Sequence, residues 1–185
     1  MINRKLFLFL TFLLTFAFLF TTGGRTQSFS PYRRGTPPKP GTQAPIITHA
    51  YAADRGRYGI FWKIYIEAED TDADMDYVAV VVDQAGIGRY PTDYILVDPQ
   101  HRNHLKGFLQ WNTFSSKGGD LEEGTQITLR VSIIDKAGNE SNEVIFPFTF
   151  VSGVRGKDES PASFGEEDIP RIGYISIDLI IPTGG

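Results

Sequence analysis

The residues best suited to bind a ligand lie in one acidic run. Six carboxylates fall within residues 67–76, which join two apolar segments. Carboxylates this close together repel each other unless a positive group neutralises them. Calcium is a hard cation that takes about six to eight oxygen ligands and tolerates irregular loops. The run is therefore a candidate calcium site.

The turn at residues 135–139 supplies two more oxygen ligands if it lies at the same end of the fold as the acidic run. The spacing departs from the EF-hand loop, because the sixth position lacks Gly and the twelfth lacks Glu. A solvated acidic turn without metal is the alternative. The candidate calcium ligands are Glu69, Asp70, Asp72, Asp74, Asp76, Asp135 and Asn139.

Four aromatic residues form a second candidate site, for carbohydrate. Phe61 and Tyr65 occupy alternate positions of one apolar segment, and Tyr90 and Tyr94 follow a Gly-Ile-Gly turn. Exposed rings on a β-sandwich can stack on sugar rings. The alternative is that the linker or the C-terminal segment covers these rings.

Catalytic chemistry has no support in the sequence. The chain contains no cysteine, so thiolate chemistry is absent. No Gly-x-Ser-x-Gly elbow or other nucleophile and base spacing occurs, and we predict that the protein is not an enzyme. The net charge is −4 and no Lys or Arg cluster lies in the central region, which argues against a nucleic-acid partner.

The N-terminus predicts export. Basic residues at 4 and 5 precede an apolar run at 6–20 and small residues at 21–24, which is the layout of a signal peptide. The run is shorter than the roughly 20 residues of a membrane-spanning helix. We therefore expect cleavage and no permanent membrane span, with an uncleaved anchor as the alternative. Without a cysteine framework, the expected setting is the bacterial periplasm, cell surface or exterior.

Composition divides the chain into five parts. Residues 1–24 are the predicted signal peptide, and residues 25–44 are a Pro-rich basic linker. Residues 45–151 are rich in β-branched and aromatic residues broken by turn residues, which is typical of short strands. Residues 152–168 form an acidic flexible linker, and residues 169–185 an apolar strand.

Period-2 alternation indicates that the central part is all-β. The clearest alternating segments are residues 60–68, 127–133 and 144–150, and the last two are expected to form a hairpin. About seven strands, forming a two-sheet antiparallel sandwich, account for the pattern. The predicted core is Trp62, Ile64, Ile66, Val81, Trp111, Leu129, Val131, Ile133, Phe146 and Phe148.

The C-terminal part alternates in the same way, and an exposed apolar strand of this kind would aggregate. It must pair with an edge of its own sandwich or with a neighbouring subunit. The candidate assembly positions are Ile175, Ile177, Leu179 and Ile181.

Residues 125–141 read Thr-Gln-Ile-Thr-Leu-Arg-Val-Ser-Ile-Ile-Asp-Lys-Ala-Gly-Asn-Glu-Ser. A strand that leads into Asp-x-Ala-Gly-Asn resembles the end of bacterial immunoglobulin-like and fibronectin type III-like repeats. The resemblance implies an immunoglobulin-like sandwich and a non-catalytic role in adhesion or envelope assembly, with a protein partner or self-assembly. A ligand-binding module for carbohydrate or calcium is the alternative.

Overall fold

A computed structural model describes residues 39–114, 123–153, 164 and 169–180. The predicted signal peptide and most of both predicted linkers lie outside these residues. Within the described part, helical structure is too short to cross a membrane.

Ten strands and one short 3-10 turn make up the described chain. The turn is Pro99–His101. The strands are β1 (Ile46–Ala52), β2 (Arg55–Gly56), β3 (Phe61–Glu69), β4 (Met75–Gln84), β5 (Gly88–Arg89), β6 (Asp93–Leu96), β7 (His104–Asn112), β8 (Gln126–Asp135), β9 (Val144–Phe150) and β10 (Arg171–Ile175).

The strands form two sheets. Sheet A has the order β1-β3-β7-β10, and sheet B has the order β2-β9-β8-β4-β5 with β6 also paired to β4. The prediction of an all-β, two-sheet sandwich is confirmed. The prediction that it is purely antiparallel is wrong, because β10 pairs parallel to β7 and β2 pairs parallel to β9. Neither pair is joined by a tight hairpin, which would have imposed the antiparallel direction.

Alternation decides which face of each strand is buried. In β3, Trp62, Ile64 and Ile66 face the core, and Phe61 on the other face is exposed. β4 pairs with β8 along one edge and with β5 and β6 along the other, which makes it a central strand. Its side chains are buried on both faces for most of its length.

All ten predicted core residues are buried. Aromatic rings occupy the centre: the Trp62 ring lies 6.1 Å from Trp111 and 4.5 Å from Phe148, measured between centroids. Val81 differs from the others. It belongs to the opposite face of β4 from the core residues Val80 and Val82, because neighbouring residues of a strand point to opposite sides.

The hairpin predicted from residues 127–150 is present. β8 pairs antiparallel with β9, and Leu129 lies opposite Phe146. In the connection, Gly138 has a φ of 89°, a left-handed conformation that glycine adopts without steric cost. The connection also lies beside the acidic turn, since the Lys136 amide donates to the Asp74 carbonyl at 3.0 Å.

We predict that Phe148→Ala lowers the free energy of unfolding by about 3 to 5 kcal/mol, because Phe148 is 1% exposed in the aromatic centre. Phe61→Ala is the matched control, since that ring is 58% exposed, and it should change stability by no more than about 0.5 kcal/mol. Urea denaturation measures both. Equal losses for the two variants would contradict this packing.

Candidate functional site

The acidic turn between β3 and β4 is organised by Asp70. Its side chain is only 2% exposed, and its two carboxylate oxygens accept the amide hydrogens of Asp72 at 3.1 Å and Asp74 at 3.0 Å. Ala73 between them has a φ of 55°. The backbone thus supplies donors to the buried carboxylate and neutralises part of its charge.

Asp135 holds the turn after β8 in the same way. Asp135 is 3% exposed, and its carboxylate accepts the backbone amide and the side-chain amide of Asn139, both at 2.7 Å. The Asn139 side chain also donates to the Thr42 hydroxyl at 2.9 Å. The chain entering the sandwich is therefore tied to this turn.

Asp74 lies between the two turns. Its Oδ1 is buried and has no hydrogen-bond partner. Burial, followed by the negative charge of Asp135 and by the hydrogen bond and charge of Asp70, raises the pKa of Asp74 from 3.8 to about 6. The negative charge of Asp74 is therefore poorly compensated.

The remaining candidate calcium ligands, Asp72, Asp76 and Glu69, have different surroundings. Asp72 accepts the Gln43 amide at 2.7 Å, and Asp76 lies 3.6 Å from the Arg102 guanidinium. Glu69 lines a cleft of about 350 Å³ together with Asn103 and His104. Among the described residues, no group of three or more His, Cys, Asp or Glu side chains is arranged to hold a metal ion. The two turns meet as expected, but their oxygens are used mainly for hydrogen bonds.

The four aromatic residues proposed to bind carbohydrate lie on different surfaces. Phe61 and Tyr65 belong to sheet A, Tyr94 packs against Tyr77 on sheet B at 6.2 Å, and the hydroxyl of Tyr90 faces the C-terminal chain. The structure therefore does not assemble these four residues into one platform.

Tyr65 belongs instead to an aromatic row that sequence reasoning missed. Its ring lies 6.4 Å from Tyr51 on β1 and 5.7 Å from Phe108 on β7. Phe164, which is 2% exposed, packs on it at 5.5 Å. Tyr65 is consequently 5% exposed. The signal was the aromatic residue at an outward position of each strand, but the pairing register was needed to align them.

The C-terminal part of the described chain docks on the sandwich and forms a third candidate binding site. We call residues 169–180 the C-terminal segment. Its strand, β10, pairs with the edge of β7, and Ile175, Ile177 and Leu179 are buried at 6%, 8% and 1% exposure. The predicted alternation is correct for these three residues. The strand itself ends at Ile175, earlier than predicted, and Ile181 lies outside the described residues.

Polar side chains bind the backbone of this segment beyond β10. The Trp111 indole Nε1 donates to the Ile177 carbonyl at 2.9 Å, and Gln84 Nε2 donates to the Ile180 carbonyl at 2.8 Å. The Ile180 amide donates to the Tyr90 hydroxyl at 2.9 Å. The Ser176 amide donates to Asp93 Oδ2 at 2.7 Å. Each of these contacts is made to a main-chain group of the segment. The contacts therefore recognise an extended backbone and do not depend on a particular side chain.

We call the surface that receives the segment the C-terminal groove. Sequence reasoning placed Trp111 in the core without its polar role, assigned Tyr90 to sugar binding, and overlooked Gln84. Tyr90 is part of this groove, where its hydroxyl also donates to Gln84 Oε1 at 2.5 Å. The groove is lined by Gln84, Tyr90, Asp93, Ile95, Gly107 and Trp111.

Comparison with known proteins adds no family to this description. No protein-family model matches the chain, and no curated protein matches it significantly.

We predict that Asp74→Asn stabilises the protein at neutral pH. The folded pKa of about 6 exceeds the ordinary 3.8, so the folded state binds more protons than the unfolded state between about pH 4 and 6. Stability from this group therefore falls as pH rises through that window. Because Asp74 is partly exposed to solvent, the gain for Asn at pH 7 should be about 1 kcal/mol.

Urea denaturation at pH 4 and pH 7 measures this effect, with Asp54→Asn as the control. Asp54 is 71% exposed at its side chain, so its substitution should leave the pH dependence unchanged. A gain for Asp74→Asn that is the same at both pH values would contradict the raised pKa.

Calcium should leave the melting temperature unchanged. The oxygens of Asp70 and Asp135 accept hydrogen bonds from their own turns, and among the described residues no three acidic side chains are arranged around an ion. Melting in about 10 mM calcium, roughly ten times a weak extracellular dissociation constant, and in chelator makes the comparison. A bound ion stabilises only the folded state, so a rise of a few degrees with calcium would favour the calcium site.

Proposed function

We propose that this chain is a non-catalytic, exported immunoglobulin-like module for adhesion or envelope assembly. The strand order supports the fold assignment. β1, β3 and β7 occupy the places of strands A, B and E in one sheet, and β4, β8 and β9 those of C, F and G in the other. The Asp-x-Ala-Gly-Asn turn at residues 135–139 is consistent with this assignment.

One position of the immunoglobulin-like arrangement is filled in an unusual way. In constant-type domains strand D pairs with the free edge of strand E. Here β6 joins sheet B, and the connection from β6 to β7 contains only the turn Pro99–His101. The edge of β7 is instead covered by β10, from the other end of the chain. A sandwich that lacks its own strand D has a strand-binding edge.

The observation that carries the assembly function is that the C-terminal groove binds an extended apolar segment through its main chain. Addition of a strand to a sheet edge is a common mode of protein recognition, in which main-chain hydrogen bonds supply affinity and pockets for alternate side chains supply specificity. The groove has both elements: the four main-chain contacts and the buried sites for Ile175, Ile177 and Leu179.

Export through residues 1–24 would place this module in the periplasm, on the cell surface or outside the cell. Residues 25–44 would then form the N-terminal spacer of the mature protein. The charge of that spacer is positive, with Arg25, Arg33, Arg34 and Lys39 and no acid, which suits an anionic envelope surface.

The alternative function, binding of carbohydrate or calcium, has less support. The four aromatic residues are dispersed over separate surfaces, and Tyr65 is covered by Phe164. Among the described residues of the acidic turn, one buried carboxylate oxygen, on Asp74, has no partner, and this oxygen favours a cation.

The groove is tested with the full chain carrying Leu179→Ala. Leu179 is 1% exposed, so its truncation should weaken the docking of the C-terminal segment and lower the melting temperature. A synthetic peptide of residues 169–185, added in excess, should then bind the groove and raise the melting temperature in a saturable way. Asp178→Ala, a change at a neighbouring exposed position, is the control and should melt like the unmodified protein.

A peptide of the same composition in scrambled order controls for non-specific effects. If Leu179→Ala leaves the melting temperature unchanged and the peptide has no effect, the groove is not a binding site and the proposed function is wrong.

A further inference from the structure

We infer that the partner in this assembly is a second copy of the same chain, whose C-terminal segment replaces the resident segment in the C-terminal groove. The inference rests on the proposed function and adds the identity of the partner. Three observations carry it: a close steric fit at two glycines, the origin of the segment's contacts, and the length of the connection to the sandwich.

The steric fit selects the chain's own sequence. A Cβ atom on Gly173 would lie 2.4 Å from Ile95 Cγ2, which is closer than real Cβ atoms approach. At this point, two residues before the first deeply buried side chain, Ile175, the groove has no space for a Cβ atom unless Ile95 shifts. An apolar strand without glycine at that position would have to displace the buried Ile95 side chain.

A second glycine makes the fit reciprocal. A Cβ on Gly107 of β7 would lie 2.6 Å from both Ile172 Cγ1 and the Pro170 carbonyl oxygen. The side chain of Ile172 thus occupies the space left by Gly107, while Gly173 leaves space for Ile95. The pattern Ile-Gly-x-Ile-x-Ile-x-Leu at residues 172–179 matches the steric contacts of the groove and its buried side-chain sites. The strand that fits best is therefore the chain's own C-terminus.

The contacts of the segment do not depend on which copy supplies it. Its main-chain partners beyond β10, Trp111, Gln84, Tyr90 and Asp93, lie 66 to 96 positions away in sequence. The same segment from another molecule would make identical contacts, which is the condition for domain swapping.

The connection leaves room for exchange. Residues 151–170 join β9 to β10, and once Phe164 is released from Tyr65 a chain of that length can span up to about 66 Å. Connections this long are uncommon within compact domains and are usually functional or linkers. Since each copy has one segment and one groove, reciprocal exchange closes a dimer.

Two full-length variants test the glycine fit, and each changes one side of the contact between Gly173 and Ile95. Gly173→Ala has a segment that clashes with its own groove, and Ile95→Ala has an enlarged groove that its own segment underfills. When the two are mixed, each segment fits the other copy's groove, because the substituted position 173 meets the substituted position 95 and Gly173 meets Ile95. We expect a one-to-one heterodimer by native mass spectrometry and a melting temperature above that of either variant alone.

The double variant Ile95→Ala and Gly173→Ala in one chain is the control, because it restores the fit internally and should regain the melting temperature lost in Gly173→Ala. If the double variant recovers but the mixture stays monomeric, the groove and the proposed function stand and the inferred partner is wrong. If the double variant fails to recover, the steric fit itself is absent and the inference falls with it.

A second measurement leaves the fit intact and applies even if these variants fold poorly. The chain has no cysteine, and Gln110 lies opposite Tyr174 in the β7 and β10 register. Mixing the single variants Gln110→Cys and Tyr174→Cys under mild oxidation should give a disulfide that joins two copies. Asp178→Cys in place of Tyr174→Cys is the control and should not link to the Gln110→Cys chain. A Gln110 and Tyr174 double cysteine variant that links only within one chain would overturn the exchange.

Discussion

The structure depends on the covering of one strand edge by the end of the chain. β7 has β3 on one side, and without β10 its other side would present unpaired backbone groups to solvent. At the same place the indole of Trp111 is fully buried, and its one N–H group donates to the Ile177 carbonyl. Leaving a buried donor without a partner costs about 1 to 3 kcal/mol. The sandwich is therefore complete only when the C-terminal segment is docked.

The loop end that contains the acidic turn is held by a different interaction, the satisfaction of buried carboxylates by backbone amides. Asp70 and Asp135 each accept two hydrogen bonds from N–H groups of their own turns, and these bonds fix two chain reversals in a chain without cysteine. Asp74, packed between them, is destabilised as an anion. The rigidity of this end thus carries an electrostatic cost at neutral pH, whereas the groove contains mainly neutral contacts.

Local patterns in the sequence predict much of this fold. The alternation in β3, β8 and β9 correctly identified their strands, and the proximity of Asp74 to Asp135 followed from the expected order of strands. Those signals are local, because the two-residue period of a strand is visible in consecutive residues. The two-residue strands β2 and β5 are too short to show a period and were missed.

The features that define the site are non-local, and this is why sequence reasoning found them only in part. The pattern of Ile175, Ile177 and Leu179 revealed a strand in need of a partner. Its parallel direction and its contacts with Trp111, Gln84 and Tyr90 depend on a pairing register between distant segments. The acidic run was similarly ambiguous, because a carboxylate that binds calcium and one that caps a turn have the same residue type. The backbone donors around Asp70 show that this carboxylate caps its own turn.

Completion of the sandwich by the C-terminal segment is measured most directly by hydrogen exchange of the Trp111 indole N–H. This hydrogen is shielded only while the Ile177 carbonyl lies over it. We predict that it exchanges as slowly as amides in the centre of β3 in the full-length protein, and much faster when Leu179→Ala loosens the segment. Exchange as fast as that of a solvent-exposed indole in the unmodified protein would contradict a sandwich completed in this way.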